Sequence, residues 1–202
     1  MTPRPPPTTG VFGGSFDPIH VGHLILARDV LEQVKLQRIL FIPSSRSPLS
    51  EEPPRASGKD RLDLVRASIA DEPAFETNDL EIRDGGCNYT INTIEALREE
   101  HPDDCFSMII GGDQLEQLHK WDKVKKLIEL TDFICLERSG FTSKAHAELV
   151  NVRSHPIKPR IVEVSSTEIR QRIRNNFPVQ HLVPKPAFKL IRERGLYGYR
   201  KP

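Results

Sequence analysis

The feature that most constrains this chain is a regular alternation of short apolar runs with segments of helical period. Apolar runs occur at 9–13, 38–42, 106–110 and 133–136, and between them apolar residues recur every three or four positions. Strands that alternate with helices in this way form a parallel sheet with helices on both faces. We therefore predict an α/β fold, a Rossmann-like doubly wound parallel sheet. Ligands of such sheets bind beyond the carboxyl ends of the strands.

The remaining segments complete this prediction. The period of the apolar residues predicts helices over 21–34, 62–69 and 91–97, and further helical segments between Gly112 and about Leu130. We expect an extended segment over 75–82 and a last strand over 160–164. A helix then opens near Ser166 or Thr167, within a small C-terminal helical part at about 165–202. Residues 1–8 read as a flexible proline-rich tail and residues 9–202 as one domain, since a domain has roughly 150 residues.

Composition excludes several classes of protein. The chain has 202 residues with 29 Lys and Arg against 28 Asp and Glu, so there is no electrostatic argument for nucleic-acid or membrane-surface binding. No stretch approaches the roughly 18 apolar residues that span a bilayer, and the N-terminus lacks the apolar region of a signal peptide. The three cysteines form no Cys-x-x-Cys motif. We predict a cytoplasmic protein with no nucleic-acid and no membrane partner.

The segment that follows the first strand carries the strongest chemical signal. It reads Gly13-Gly14-Ser15-Phe16-Asp17-Pro18-Ile19-His20-Val21-Gly22-His23 and opens the first helix. Paired glycines let a backbone turn tightly against a ligand. A helix N-terminus attracts anions, and two imidazoles three residues apart add further N–H donors. The segment predicts a phosphate site. Metal ligation by the two histidines lacks a third ligand at suitable spacing, and ordinary surface histidines are the other alternative.

Two common nucleotide-binding motifs are absent from the sequence. There is no Gly-x-x-x-x-Gly-Lys-Ser/Thr, which argues against a P-loop NTPase. There is also no Gly-x-Gly-x-x-Gly with a downstream acidic residue, which argues against an NAD-dependent dehydrogenase.

The same segment resembles the signature of the nucleotidylyltransferase superfamily, with its His-x-Gly-His motif. In detail it is similar to the bacterial nicotinate-mononucleotide adenylyltransferases, and the resemblance extends from about residue 10 to residue 197. It implies adenylyl transfer from ATP to nicotinate mononucleotide, which gives deamido-NAD and pyrophosphate in NAD biosynthesis. It also implies Mg²⁺ carried with ATP and no metal site of the protein's own. Under this resemblance His20 and His23 are catalytic, and five residues bind ATP phosphates: Gly13, Gly14, Ser15, Phe16 and Gly22.

A second stretch supports the phosphate assignment. Residues 165–170 read Ser-Ser-Thr-Glu-Ile-Arg, which by itself indicates a capped helix start. The resemblance implies that Ser165, Ser166, Thr167 and Arg170 also hold ATP phosphates, with the arginine as a fixed planar cation.

Four further residues would bind the mononucleotide if the resemblance holds. Trp121 would stack on the pyridine ring, although a lone tryptophan is most often a core residue. Backbone groups at Tyr89 and Thr90 would read the nicotinate carboxylate. Arg138 would meet the mononucleotide phosphate, its alternative being a solvated surface arginine.

Asp113 completes this expected acceptor site. It follows the glycine pair that ends the strand at 106–110. Under the resemblance its carboxylate accepts hydrogen bonds from ribose hydroxyls. Its alternative is a helix-capping role in a turn.

Two departures from the family pattern are present. Related sequences carry Pro-Pro-His-Lys after the second strand, whereas this chain reads Arg-Ser-Pro-Leu-Ser over 46–50. Either Arg46 or Lys59 replaces that His-Lys, or ATP binding is altered. The aromatic residue that usually follows the tryptophan is also missing, with Asp122 and Val124 nearby.

Three rival functions stay open on the sequence. A sister enzyme of the superfamily would be a pantetheine-phosphate adenylyltransferase or a cytidylyltransferase, against which Trp121 and Tyr89 argue. A nucleotide-binding regulator would bind ATP without releasing pyrophosphate. A tRNA-binding relative of class I synthetases lacks support from the net charge and from any Lys-Met-Ser-Lys-Ser-like loop. The sequence also leaves open a homo-oligomer and the preference between nicotinate and nicotinamide.

Overall fold

The computed structural model describes residues 8–46, 52–137, 149 and 151–200. The predicted tail lies outside this part of the chain except for Thr8, whose N–H donates to the Cys105 carbonyl at 2.9 Å. Within the described residues, six strands form one sheet in the order β3-β2-β1-β4-β5-β6. All five strand pairs are parallel, which confirms the predicted doubly wound α/β fold.

The elements follow the chain in the predicted alternation. The strands are β1 Thr9–Gly14, β2 Arg38–Pro43, β3 Phe75–Thr77, β4 Phe106–Gly111, β5 Asp132–Leu136 and β6 Ser154–Ile157. The α-helices are α1 Val21–Val34, α2 Gly58–Ile69, α3 Leu80–Asp84, α4 Thr90–Glu100, α5 Gly112–Glu116, α6 Val124–Leu130, α7 Ser166–Arg174 and α8 Lys185–Arg194. Single 3₁₀ turns occur at Leu118–Lys120 and Leu196–Gly198.

The apolar core lies in two layers, one on each face of the sheet. Successive strand residues alternate between them: in β2, Ile39 belongs to one layer and Leu40 to the other. Helices α1, α2, α7 and α8 cover the first face, and α4, α5 and α6 cover the second. Burial of strand residues on both faces explains why these strands are apolar throughout rather than alternating.

The extended segment expected over 75–82 was only partly correct. The strand ends at Thr77, and residues 80–84 form the short helix α3. The side chain of Asn78 accepts a hydrogen bond from the Leu80 N–H at 2.8 Å, and Gly85 ends the helix at φ 68°. An Asn before a helix is an ordinary start signal and a Gly after it is an ordinary stop signal. The sequence therefore contained evidence for this helix, which the prediction of one extended segment overlooked.

The strand expected over 160–164 was wrong. The edge strand is β6, over 154–157, and Ile161 is 73% exposed. The backbone N–H and the guanidinium of Arg160 both bond the buried carboxylate of Asp29 on α1. Because the Arg160 N–H donates to a side chain, it cannot donate to the backbone of a neighbouring strand. Pro156 stands in β6 because an edge strand tolerates a residue without an N–H.

The order of the strands determines where a ligand can bind. From β1 the chain continues outward to β2, whereas β4 continues to β5 on the other side. The carboxyl ends of β1 and β4 therefore flank a crevice at the point where the strand order reverses. The predicted C-terminal helical part, α7 and α8, packs on the first face beside α1 and α2. No helix among the described residues is long and apolar enough to cross a membrane.

Candidate active site

A cavity of about 550 Å³ opens at this crevice. Its wall is built from the loop after β1, from the carboxyl end of β4, from residues 52–55 and from the starts of α4 and α7. Nine residues that the sequence predicts as site residues form part of this wall: Gly13, Gly14, Ser15, Tyr89, Thr90, Trp121, Ser166, Thr167 and Arg170.

The loop after β1 presents its backbone to the cavity. A Cβ on Gly13 would meet nothing within 4 Å, so this residue faces open space. A Cβ on Gly14 would lie 3.2 Å from the ring of Phe16. Phe16 has a φ of 46° and its side chain is buried against Phe12 and Phe41. Only the backbone of Phe16 is therefore available for the predicted contact with phosphate.

The two histidines stack on each other at the start of α1. Their ring centroids are 3.7 Å apart, and the backbone N–H of His20 donates to Nδ1 of His23 at 3.2 Å. Because Nδ1 accepts this bond, the proton of a neutral His23 is on Nε2. A Cβ on Gly22 would lie 3.0 Å from Nδ1 of His20. The glycine of His-x-Gly-His thus makes room for the histidine ring itself.

Both imidazoles are neutral at pH 7 in the free protein. Burial lowers the pKa of His20 to about 4. Burial, with a smaller contribution from His20, lowers the pKa of His23 to about 3. Neither ring is part of the cavity wall. The ring centroid of His23 lies 5.1 Å from that of Phe16, which belongs to the loop after β1, and other residues of this loop line the cavity. The pair can therefore offer neutral N–H donors, not positive charge, to an anion that reaches them.

The start of α7 is fastened to the loop after β1. The Ser165 hydroxyl accepts from the Glu168 N–H at 3.1 Å, which is the helix cap expected from the sequence alone. The Ser166 hydroxyl donates to the Pro18 carbonyl at 2.8 Å. Arg170 donates from Nη1 to the Asp17 carbonyl at 2.7 Å and from Nη2 to the Thr167 hydroxyl at 3.1 Å. These bonds bring residues 165–170 to the predicted phosphate loop.

Two buried charged residues beneath this loop, Asp17 and Arg61, were not predicted. Asp17 is 3% exposed, and its carboxylate accepts from the backbone N–H groups of Arg55 and Ala56 at 2.7 and 3.0 Å. Arg61 on α2 is 1% exposed and donates to the carbonyls of Ser15 at 2.6 Å and Ala56 at 3.3 Å. Burial lowers the pKa of Arg61. The two residues join the loop after β1, the segment at 55–56 and α2.

A sequence signal for Arg61 does exist. Its neighbours three and four positions onward, Leu64 and Val65, are both fully buried. An arginine on the apolar face of a helix needs partners inside the protein, and the backbone carbonyls of a tight glycine loop provide them here.

The opposite end of the cavity contains the predicted acceptor residues. Tyr89 precedes α4 and is 42% exposed, and Thr90 begins that helix. Trp121 packs against the second core layer and also lines the cavity; its stacking on a pyridine ring stays a prediction. The carboxyl of Glu81 lines the same end and accepts from the Thr93 hydroxyl at 2.8 Å, and burial raises the pKa of Glu81.

One further predicted residue, Asp113, is not brought to the wall. Asp113 is exposed in the first turn of α5, and its carboxylate lies 2.8 Å from where a Cβ on Gly111 would be. It does not line the cavity. Arg138 lies outside the described residues. Among the described residues, no group of three or more His, Cys, Asp or Glu could hold a metal ion.

Comparisons with known proteins identify the family of this chain. Residues 11–172 match the family described as Cytidylyltransferase-like. A protein of Opitutus terrae named “Probable nicotinate-nucleotide adenylyltransferase” is 43% identical over 93% of this chain and 96% of its own length. A protein of Shouchella clausii with the same name is 38% identical over 94% of this chain and 96% of its own length.

A solved structure supports the fold independently. It is the Plasmodium falciparum nicotinic acid mononucleotide adenylyltransferase complexed with NaAD, which covers 96% of this chain and 98% of its own with a TM-score of 0.73. At 20% identity it is evidence for the fold alone. The sequence relatives carry the assignment further: the chain belongs to the cytidylyltransferase-like family and, within it, to the nicotinate-nucleotide adenylyltransferases.

Proposed function

We propose that this enzyme transfers the adenylyl group of ATP to nicotinate mononucleotide, which gives deamido-NAD and pyrophosphate. The observation that carries the proposal is one cavity with two unlike ends. We assign Gly13, Ser15 and Arg170, which lie at and beside the loop after β1, to an anion-binding end, and Trp121 with Tyr89 to an aromatic end; all five residues line the cavity. A phosphate chain and a pyridine ring suit these two ends.

The reaction needs no base and no nucleophile from the protein. An anionic oxygen of the acceptor phosphate attacks the α-phosphorus of ATP, a new P–O bond forms, and the bond to the β-phosphate oxygen breaks. Pyrophosphate leaves with the electron pair, and no proton is transferred. Catalysis then depends on alignment and on donors directed at the developing charge. The backbone of the loop after β1, Nε2 of His23 and the guanidinium of Arg170 would be those donors.

Mg²⁺ would enter with ATP and neutralise part of the phosphate charge. The wall fits a metal held by phosphate oxygens and water rather than by protein, since the Asp17 carboxylate is already committed to two backbone N–H groups. We place the enzyme in the cytoplasm with ATP and nicotinate mononucleotide as its partners; the absence of nucleic-acid and membrane partners and the oligomeric state stay predictions.

The experiment is pyrophosphate release from Mg-ATP with three acceptors: nicotinate mononucleotide, nicotinamide mononucleotide and phosphopantetheine. We expect release mainly with the nicotinate form. Release mainly with phosphopantetheine would move the chain to a sister activity. ATP binding without release for any acceptor would favour a regulator instead.

A further inference from the structure

The phosphate end of the cavity needs more positive charge than the loop after β1 and the two histidines supply. A triphosphate is highly anionic, but neither His20 nor His23 is part of the cavity wall. Among the described residues, the cations that line the cavity are Arg55, Lys120 and Arg170. Arg170 already bonds the Asp17 carbonyl and the Thr167 hydroxyl, and Lys120 adjoins Trp121 at the acceptor end. Arg55 is the remaining cation.

Neither replacement that the sequence suggests for the missing His-Lys lies in the wall. Lys59 is an exposed residue in the first turn of α2, and Arg46 does not line the cavity either. The Arg46 carbonyl instead accepts from the Asn88 N–H at 3.2 Å. Residues 47–50 contain no cation.

The backbone of Arg55 is fixed at the phosphate end. Its N–H donates to the buried Asp17 carboxylate at 2.7 Å, and the carbonyl of the same Asp17 accepts from Arg170 at 2.7 Å. Arg55 and Arg170 are thus anchored to one residue, directly after the loop that presents Gly13 and Ser15. This places Arg55 away from the aromatic end of the cavity.

The side chain of Arg55 is free to exchange its partner. It is 53% exposed and pairs with the exposed carboxylate of Glu52, which also lines the cavity. An exposed pair three residues apart contributes little stability. Phosphate oxygens, which accept two parallel bonds from a guanidinium, are a stronger partner.

We propose that Arg55 binds the β- and γ-phosphates of ATP in place of the absent His-Lys, and that these phosphates displace Glu52 from its guanidinium. The inference rests on the proposed function. Because the Arg55 side chain is 53% exposed, we expect it to meet the outer phosphates, which leave as pyrophosphate, rather than the α-phosphate. Its contribution is to substrate affinity and to alignment of the leaving group.

Steady-state kinetics of Arg55→Gln test this assignment. We expect the KM for ATP to rise roughly tenfold, because the phosphates lose charge-assisted hydrogen bonds from the guanidinium, while the KM for the acceptor stays unchanged. The KM for ATP of Arg55→Lys should lie between that of the wild type and that of Arg55→Gln. Glu52→Gln should change the KM for ATP in the opposite direction, because it removes the competing carboxylate. The Asp17 bond uses backbone atoms, so the variants keep this anchor.

The matched control is Arg66→Gln. Arg66 is 50% exposed, pairs with Asp79 and lies outside the cavity wall, so this variant should keep the KM for ATP. An unchanged KM for ATP in Arg55→Gln, or a rise in the KM for the acceptor instead, would overturn the assignment.

A calorimetric titration with Mg-ATP alone separates this inference from the proposed function. If Arg55→Gln binds Mg-ATP more weakly than the wild type and no acceptor supports pyrophosphate release, the role of Arg55 is upheld and the proposed reaction is rejected. If the wild type and Arg55→Gln bind Mg-ATP equally and nicotinate mononucleotide drives pyrophosphate release, the role of Arg55 is rejected and the proposed reaction is upheld.

Discussion

The two ends of the cavity are held by different means. At the phosphate end, the loop after β1 is bonded from below by Arg61, from one side by Arg170 and, through Asp17, to residues 55–56. At the acceptor end, Tyr89 is partly exposed and follows the glycine pair 85–86, both at positive φ. Transition-state stabilisation needs fixed donors, whereas ring recognition by stacking tolerates small displacements. Under the proposed function, the rigidly held end is the part that would perform the chemistry and the other end is the part that would select the acceptor.

The largest effect should come from His23 at the fixed end. His23→Asn keeps an acceptor for the His20 N–H but removes the Nε2 donor. We expect turnover to fall by about 100-fold or more, because one lost donor to a developing oxyanion costs about 3 kcal/mol. Pyrophosphate release measures turnover. His101→Asn, at the C-terminus of α4, is the control, and normal turnover in His23→Asn would remove His23 from the mechanism.

Arg61 tests whether the fixed end depends on burial. Arg61→Met leaves the buried carbonyls of Ser15 and Ala56 without their donors, while the Asp17 carboxylate keeps its ion pair with Arg170 at 3.8 Å. The free energy of unfolding should fall by about 3 kcal/mol, measured by urea denaturation. Arg194→Met is the matched control on the other side of α2: Arg194 bonds Asp60 and Asp63 at the surface, and its loss should cost at most about 1 kcal/mol. Equal losses in the two variants would contradict a special role for the buried Arg61.

Trp121 sharpens the comparison from the acceptor end. Trp121→Ala should raise the KM for nicotinate mononucleotide about tenfold, since stacking of a base on an aromatic ring is worth about 1–3 kcal/mol. The KM for ATP should stay within about twofold. Trp121→Phe should recover most of the loss, and Phe177→Ala, an exposed aromatic outside the cavity, is the control. A rise in the KM for ATP alone would contradict the assignment of Trp121 to the acceptor end of the cavity.

The smallest effect near neutrality concerns pH. The pKa values of His20 and His23 lie below the unfolded value of 6.5, so the unfolded chain binds more protons between pH 6.5 and about 4. The stability conferred by the neutral pair is therefore complete above pH 6.5 and lost as pH falls through this window. Glu81 contributes with the opposite sign, because its pKa is raised. Urea denaturation at several pH values measures the slope. The variant His20→Gln/His23→Asn should have a flatter slope, and a slope equal to that of the wild type would contradict the assignment.

Much of the architecture could be predicted from local patterns. The strands β1, β2, β4 and β5 follow from apolar runs, because strands buried on both faces must be apolar throughout. The helix starts at 21 and 166 follow from residues near their N-termini. The failures occurred where a tertiary contact overrode the pattern: Asp29 takes the N–H of Arg160, and this removes a strand that β-branched residues otherwise favour.

The candidate site could be predicted only where its residues are contiguous. The loop after β1 and the start of α7 are readable motifs, whereas Asp17 and Arg61 act through contacts between residues far apart in sequence. Arg61 reaches Ser15 across 46 positions, and no spacing rule reports such a contact. The resemblance assigns Gly22 to phosphate binding, whereas the structure shows that its missing Cβ accommodates the His20 ring.

The bonds from α7 to the loop after β1 join residues up to 153 positions apart. The six strands in the described part of the chain are complete by Ile157, so a growing chain has synthesised them while the proposed phosphate loop still lacks Ser166, Thr167 and Arg170. The first loop to be synthesised is completed by nearly the last helix. A chain that terminates early would therefore contain the full set of strands without a finished phosphate site, and synthesis up to α7 becomes a condition for any turnover of ATP.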